Sequence, residues 1–530
     1  MSLEGNPQTV DVERANEIAR IAVGDMATRA GSRYPDRTAY IVPATGEEVT
    51  FGEFDERTNR AAHALLDAGL EKGDRLAMVS GNSLQFLTCY YGAMKAGIVA
   101  TPINPEITDE DIAYEFDHSE ATAVVADDVF HAKIDPLLAD RDLDLLATID
   151  WEGIETPGPS FGAFIEGYSP AEPEVHIEDD DLAQIMYTSG TTSQPKGVLL
   201  SHKAVHTGSL NVATDVALDR NDTMIGLMPL FHCAQLTMVQ GAMHVSARTV
   251  IRRGFEPDAF LEDVETYDVS WSFMLPAMYQ GLLARPDIGE RDLSSLEYCL
   301  YAMTPMGGET LERAHEVFDA NFALGSGQTE AYPPTCVYQP EWQLEKEGNY
   351  WGHATANNRI GIMDDDGNLL PDGEVGEIVY RGPNVMDGYL KNEAKTREAF
   401  AHGWFHSGDM GLIDEDGLLK FVDRKKDMIK SGGENVSTQK VESTLLDHPA
   451  VAELAVVGLP HERWGEAVTA FVVPTPDAEA DAEEIREWVG DRLAGFETPK
   501  AVEFVDELPK TTTGKIQKFE VAQDQQDYYG

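Results

Sequence analysis

A chain of 530 residues with 42% hydrophobic content is long enough for two or three packed domains, which excludes both a disordered protein and a small stapled fold. Asp and Glu number 93 against 40 Lys and Arg, a formal net charge of -53, and this argues against a binder of nucleic-acid backbone. The acids are spread along the chain, as in Glu178 to Asp181, Asp364 to Asp366 and Glu479 to Glu484. Concentrated salt screens such a surface, so a KCl-rich cytoplasm is the expected setting.

In chain order, Met1 to Arg14 is polar and acidic, and the most apolar early stretch, Leu87 to Ile103, is interrupted by Lys95. Neither a signal peptide nor a membrane-spanning helix is expected, and the location is read as cytoplasmic. Apolar residues at helical spacing predict helices at Phe54 to Ala68 and Leu311 to Phe318; β-branched runs predict strands at Thr122 to Val125, Leu454 to Val457 and Thr469 to Val473. The alternation indicates an α/β fold. Cys89, Cys233, Cys299 and Cys336 are too widely spaced for a zinc site or a disulfide framework.

Past the middle, turns at Asp364 to Gly367, Pro371 to Gly373 and Asp414 to Gly417 separate strand-like runs, suggesting hairpins or a small barrel. After Phe421 the pattern tightens, with helices expected at Val441 to Leu446 and Ala482 to Leu493 and a strand at Val451 to Val457. A domain boundary is placed at Asp423 to Lys426.

The window Tyr187-Thr188-Ser189-Gly190-Thr191-Thr192-Ser193-Gln194-Pro195-Lys196-Gly197 follows the apolar run Ala183 to Met186. Glycines let backbone amides approach an anion, hydroxyls add donors and lysine adds charge, so the window reads as a polyphosphate loop. It is not a Walker loop, because Pro195 precedes Lys196 and Gly197 follows it.

The window resembles the phosphate loop of the AMP-forming, adenylate-forming enzymes. In the order of that superfamily follow Gly327-Gln328-Thr329-Glu330, Gly373 to Ile378 with Arg381-Gly382-Pro383, Trp404 to Asp409, Asp423 to Asn435, and Pro509-Lys510-Thr511-Thr512-Thr513-Gly514-Lys515. The chain is thereby identified as similar to the acyl-CoA synthetases, of the fatty-acid–CoA ligase type, and with its charge the source implied is a halophilic archaeon.

The resemblance implies a large N-terminal domain of αβαβα layers plus a small β-barrel over residues 1–422, a hinge at 423–426 centred on Lys426, and a smaller mobile α+β lid over 427–530. It implies ATP, Mg²⁺ and the co-substrate CoA. Thr188, Ser189, Gly190, Thr191, Thr192 and Lys196 would hold phosphates, with Gln328 and Thr329 beside the nucleotide. Glu330, with Thr191, would hold Mg²⁺; Asp409 would take the ribose hydroxyls; Arg424 would contact the nucleotide near the domain junction. Lys515 would serve adenylation, since an ammonium there can neutralise charge building during in-line attack. Gly432 and Gly433 would let a pantetheine arm pass. His232 would gate the carboxylate site, and Ala302, Met303, Thr304 and Gly327 would border the acyl pocket.

Two departures stand out. Ser326 replaces the tyrosine that in relatives stacks on adenine, so either other walls, for example Tyr298, Tyr301 or Tyr332, hold the base or nucleotide affinity is weaker. Ala302-Met303 replaces a Gly-Gly pair and should fill acyl-pocket volume, unless Met303 is a core residue. With no cation evident on that wall, the expected substrate is a fatty or other apolar monocarboxylic acid, activated as acyl-AMP and passed to CoA. An enzyme loading a separate carrier protein, an aryl or cinnamate-type CoA ligase, and a luciferase-like oxidative use are the alternatives. A non-catalytic sensor is disfavoured, because Glu330, Asp409 and Lys515 are all present. The partners expected are small molecules, not nucleic acid, and a homo-oligomer is compatible with the sequence.

Overall fold

The structure, a computed structural model, describes residues 20–529 except 142, 189–193, 303–304, 347, 476–480, 511–515 and 527. The described residues form two compact units. The first holds the chain up to the phosphate window, Pro195–Arg359 and Tyr380–Glu398; the second holds Ile360–Val379 and the chain from Ala399 onward.

The first unit contains a seven-stranded sheet in the order Gly388–Tyr389, Lys196–Ser201, Leu182–Thr188, Val99–Ile103, Arg75–Val79, Ala123–Asp127, Asp144–Ile149. Val99–Ile103 and Ala123–Asp127 are buried at every position and flank Arg75–Val79 in parallel, as expected of strands covered on both faces. The helix predicted from Phe54 begins at Phe51, because Thr50 and Glu53 close a capping box: Glu53 N–H donates to Thr50 Oγ1 (3.2 Å) and Thr50 N–H to Glu53 Oε2 (2.9 Å). It packs on helix Leu84–Lys95, whose closing Lys95 is buried. Burial lowers the Lys95 pKa, and the Asp55 carboxylate at 2.5 Å opposes this.

A second set of strands in this unit runs Thr223–Gly226, Trp271–Met274, Tyr298–Tyr301, Asn321–Gln328, all parallel, and then folds back through Ala331–Tyr338. The hairpin register pairs Gln328 with Ala331, which puts Thr329 and Glu330 on the turn. A buried polar relay ties the pieces together. Tyr90 donates to Gln184 Oε1 (2.6 Å), Gln240 Nε2 donates to Tyr90 Oη (2.9 Å), and Tyr332 donates to Gln240 Oε1 (2.9 Å). Every member has a partner, so the relay can rigidify the strands ending at Thr188 and starting at Ala331.

In the second unit, Phe405–Ile413 and Leu419–Arg424 form a hairpin around the expected turn, where Gly417 has φ 80°. A separate sheet orders Glu434–Val436, Ile429–Ser431, Gly465–Pro474, Val451–His461, with Ala501–Phe504 alongside Gly465–Pro474. Helices Thr438–Leu446 and Ala482–Gly490 cover it through Val441, Leu445, Ile485 and Val489, making an α+β core with Val456, Val468 and Val472. The second helix stops before the predicted Leu493, at a glycine whose backbone entropy disfavours continuation. Among the described residues, no helix is long and apolar enough to cross a membrane.

Candidate functional site

Thr188 and Lys196 are cross-strand partners at the end of the hairpin that bounds the phosphate window. Among the described residues Thr188 Oγ1, which is buried, has no hydrogen-bond partner, a donor left for something else to accept. Lys196 points its ammonium at Tyr389, 3.2 Å from the hydroxyl and 4.2 Å from the ring centroid, and lies 3.7 Å from Glu330 Oε1. Tyr389 in turn donates to Glu330 Oε1 at 3.0 Å. Burial, and then the Glu330 carboxylate, raise the Tyr389 pKa, so its hydroxyl remains a donor. Edge strand Gly388–Tyr389 is held on Lys196–Ser201 by the pairing of Tyr389 with Val198, which sets this triangle.

Glu330 keeps Oε2 without a hydrogen bond from any described residue. Among the described residues no three His, Cys, Asp or Glu side chains converge. A Mg²⁺ at Glu330 would therefore take most of its ligands from phosphate and water, which is how Mg²⁺ is usually held with nucleotides. Gly327 admits no side chain, since a Cβ there would sit 2.8 Å from Pro333 Cβ. Next to Glu330, Thr329 Oγ1 lies 3.3 Å from Cys233 Sγ. His232 caps helix Cys233–Val245, its Nδ1 accepting from Ala234 N–H at 3.2 Å, and the ring is otherwise exposed. The first unit thus brings Lys196, Thr329 and Glu330 together, with His232 one residue from the Thr329 contact. Gln328 closes the same hairpin strand, and Ala302 follows strand Tyr298–Tyr301, half-buried.

The tyrosines proposed as adenine walls are core residues. Tyr332 is 0% exposed, Tyr301 is 1%, and Tyr298 stacks on Trp271. None presents a free ring face, because each fills space between packed strands.

In the second unit, Asp409 and Arg424 are register partners, and Arg424 Nε lies 2.8 Å from Asp409 Oδ1. Asp409 is buried while Arg424 remains half exposed, so a planar guanidinium fork marks the mouth of a buried carboxylate. Glu377 supports the turn before Asp409, accepting from Gly408 N–H (3.1 Å), His406 Nδ1 (3.0 Å) and Lys425 Nζ (3.0 Å). Burial alone would raise its pKa; the hydrogen bonds from His406 and Lys425 outweigh that and lower it. Lys426 follows on the exposed side, its pKa lowered first by burial of its stem.

Gly432 and Gly433 form a two-residue turn between Ile429–Ser431 and Glu434–Val436, with φ 64° and 93°. Positive φ at both positions is the type I′ requirement that favours glycine. At Gly432 a Cβ would also meet Trp464 at 3.0 Å, whereas Gly433 opens on empty space. Ser189, Gly190, Thr191, Thr192, Met303, Thr304 and Lys515 lie outside the described residues. Sequence reasoning missed Tyr389, which nothing in its local pattern marks, and assigned no role to Glu377, although it lies in the Gly373 to Ile378 motif.

Beside the phosphate window, helix Asp109–Ser119 carries Tyr114, which donates to Pro195 O (3.2 Å), and His118, whose Nδ1 lies 3.0 Å from Tyr187 Oη. Between them Glu115 is 4% exposed, and its Oε2 has no partner. Burial, then Asp111, push its pKa up to about 8. The unfolded chain releases this proton near pH 4.5 and the native state only near pH 8. The contribution is therefore full at low pH and falls as pH rises across that window, by up to about 1.4 kcal/mol per pH unit. Denaturation midpoints from pH 5 to 9 should fall more steeply for the wild type than for Glu115→Gln; parallel curves would remove Glu115 from this role.

Comparison with known proteins matches residues 27–390 to the family described as AMP-binding enzyme and residues 440–515 to the AMP-binding enzyme C-terminal domain. The chain is 35% identical over 500 residues to a feruloyl-CoA synthase of Amycolatopsis sp, covering 94% of this chain and 98% of that one. It is 33% identical over 496 residues to a long-chain-fatty-acid–CoA ligase of Mycobacterium tuberculosis, covering 94% and 97%. It is also similar to a fatty acid–[acyl-carrier-protein] ligase of Streptomyces coeruleorubidus, at 31% identity over 496 residues, covering 91% and 93%. The crystal structure of ATP-bound MatB from Rhodopseudomonas palustris superposes with TM-score 0.86 at 28% identity, covering 96% of this chain and all of that one. With these two matches covering most of its length, this chain belongs to the AMP-binding enzyme family.

Proposed function

We propose that the chain is an ATP-dependent acid–CoA ligase. A carboxylate attacks the α-phosphorus of ATP to give acyl-AMP and pyrophosphate; the CoA thiol, losing its proton, then displaces AMP to give the thioester. The observation that carries the reading is the triangle of Lys196, Tyr389 and Glu330 at the end of a hydroxyl- and glycine-rich window, where a cation, a donor and a carboxylate meet. Thr188 to Thr192 with Lys196 bind the phosphates, Gln328 and Thr329 flank the nucleotide, Asp409 accepts from the ribose hydroxyls and Arg424 orients beside it. Glu330 and Thr191 would hold Mg²⁺, which would supply charge neutralisation on the phosphates. His232, Ala302, Met303, Thr304 and Gly327 border the acid.

Residues 1–422 carry the nucleotide and acid, and the lid 427–530 turns about Lys426 to present Lys515 in one step and Gly432-Gly433 in the other. The enzyme works in a salt-rich cytoplasm, as in a halophilic archaeon, and its acid is an apolar monocarboxylate of lipid metabolism. Relatives named for long-chain fatty acids and for ferulate frame the choice of acid.

The test measures AMP and thioester formation with ATP, Mg²⁺ and CoA in concentrated KCl, across straight-chain acids, benzoate and a cinnamate-type acid. An optimum among straight-chain acids that lengthens in Met303→Gly is expected. Acid-dependent pyrophosphate release without thioester would replace CoA by a carrier protein as acceptor.

A further inference from the structure

A cluster of arginines and histidines in the first unit shares no residue with the site above. Arg29 and Arg33 lie one turn apart on helix Asp25–Arg33, Arg20 precedes that helix, and helices His202–Asp215 and Cys233–Val245 contribute His206 and His244. These five side chains, with Met26 and Met243 among the apolar part of the wall, line a cavity of ≈ 350 Å³. In a chain where acids outnumber bases 93 to 40, three guanidiniums and two imidazoles around one cavity run against composition.

Little acid balances them. Asp25 and Glu172 are spent on Arg20, at 2.9 and 3.3 Å, and Asp25 reaches Arg29 only at 3.9 Å. Arg33 has no acidic partner among the described residues. Arg29 donates to His206 Nε2 at 3.2 Å, which leaves the proton of neutral His206 on Nδ1, and that atom is buried without an acceptor. The His244 ring stands edge-on to His206, centroids 4.6 Å apart, with Nε2 3.0 Å from Ser209 Oγ.

Burial dominates the electrostatics of these groups and keeps both imidazoles neutral. Burial first, then Arg29, lower the His206 pKa to about 4, against Asp25 and Asp179. Burial, then His206 and Arg29, lower His244 to about 3. Arg29 itself is lowered by burial, with Arg33 and Arg20 adding to the effect against Asp25. The neighbouring guanidiniums of Arg29 and Arg33, of which Arg29 is partly desolvated, would be relieved by a counter-anion.

We propose that this cavity is a binding site for a phosphate group of a small molecule, gripped by Arg29 and Arg33 with His206 and His244 behind them. Guanidinium forks match the several acceptor oxygens of a phosphate better than a lone halide, and the volume exceeds what a halide fills.

The test titrates inorganic phosphate into the full chain calorimetrically at constant ionic strength, phosphate replacing KCl, with acetate as the second titrant. The variants are Arg29→Gln/Arg33→Gln, Arg33→Gln alone, and Lys196→Ala. One saturable phosphate site is expected in the wild type and in Lys196→Ala, with acetate weaker. The double variant should bind about tenfold more weakly or not at all, while its acyl-AMP formation is unchanged. Arg33 is exposed, so the single variant keeps the test alive if the double variant misfolds, and it too should bind more weakly. Binding lost only in Lys196→Ala, binding indifferent to both arginines, acetate as tight as phosphate, or no saturable site would each overturn the proposal.

Discussion

Lys515→Ala should lower acyl-AMP formation by about 10²–10³-fold and leave thioester formation from preformed acyl-AMP near the wild-type rate. The first step gathers negative charge on the entering carboxylate and the α-phosphate oxygens, and an ammonium aimed at that charge acts on the transition state more than on bound substrate. The second step expels AMP from an already formed acyl phosphate and has the Gly432-Gly433 turn, not Lys515, in the proposed arrangement. Single-turnover assays of the two halves separate these cases. Equal loss in both would mean that Lys515 serves binding or folding, and the division of labour between two lid orientations would fall. Gly432→Ala is the converse probe, although the positive φ and the Trp464 contact give that substitution a structural cost of its own.

Asp423→Ala should destabilise the lid by about 3–5 kcal/mol, the loss typical when one member of a buried charge network is removed. Asp423 is 0% exposed at the end of strand Leu419–Arg424. Its carboxylate accepts from Arg424 N–H (2.7 Å), from the Thr438 hydroxyl (2.9 Å) and from Thr438 N–H at the start of helix Thr438–Leu446. Lys518 completes the network from the C-terminal helix Lys518–Asp524, donating to Thr438 Oγ1 (2.7 Å) and Glu442 Oε2 (2.8 Å). Alanine would strand the Arg424 and Thr438 donors and leave Glu442 as the nearest carboxylate to Lys518. Burial already raises the Asp423 pKa against the pull of Lys518, so the neutral Asp423→Asn should lose distinctly less. Amide exchange across Thr438–Leu446 reads the effect locally, which matters because two units need not unfold as one transition. Unchanged protection in Asp423→Ala would sink the network.

Much of the C-terminal α+β core was legible in advance. The predicted strands at Leu454 to Val457 and Thr469 to Val473 lie inside Val451–His461 and Gly465–Pro474, and the helix at Val441 to Leu446 lies inside Thr438–Leu446. Boundaries moved where chemistry outside the apolar pattern decided them, as at the Thr50–Glu53 box and at Gly490. The tyrosines near Ser326 were misjudged, because an aromatic beside a motif reads the same in sequence whether its ring lines a cleft or fills a core.

The sequence by itself determined the family, through motifs whose glycines, hydroxyls and charges are adjacent in the chain, and it determined the alternation that makes an α/β core. Only the tertiary structure decided which charges meet. Tyr389 reaches Lys196 across 193 positions and Glu330 across 59, and Lys518 reaches Thr438 across 80. Such contacts leave no periodicity, and among 93 acids nothing local distinguishes Glu115 from the solvated majority, while the motif that holds Asp423 does not show that its carboxylate is buried. Burial separates them, and burial is set by how the strands and helices pack.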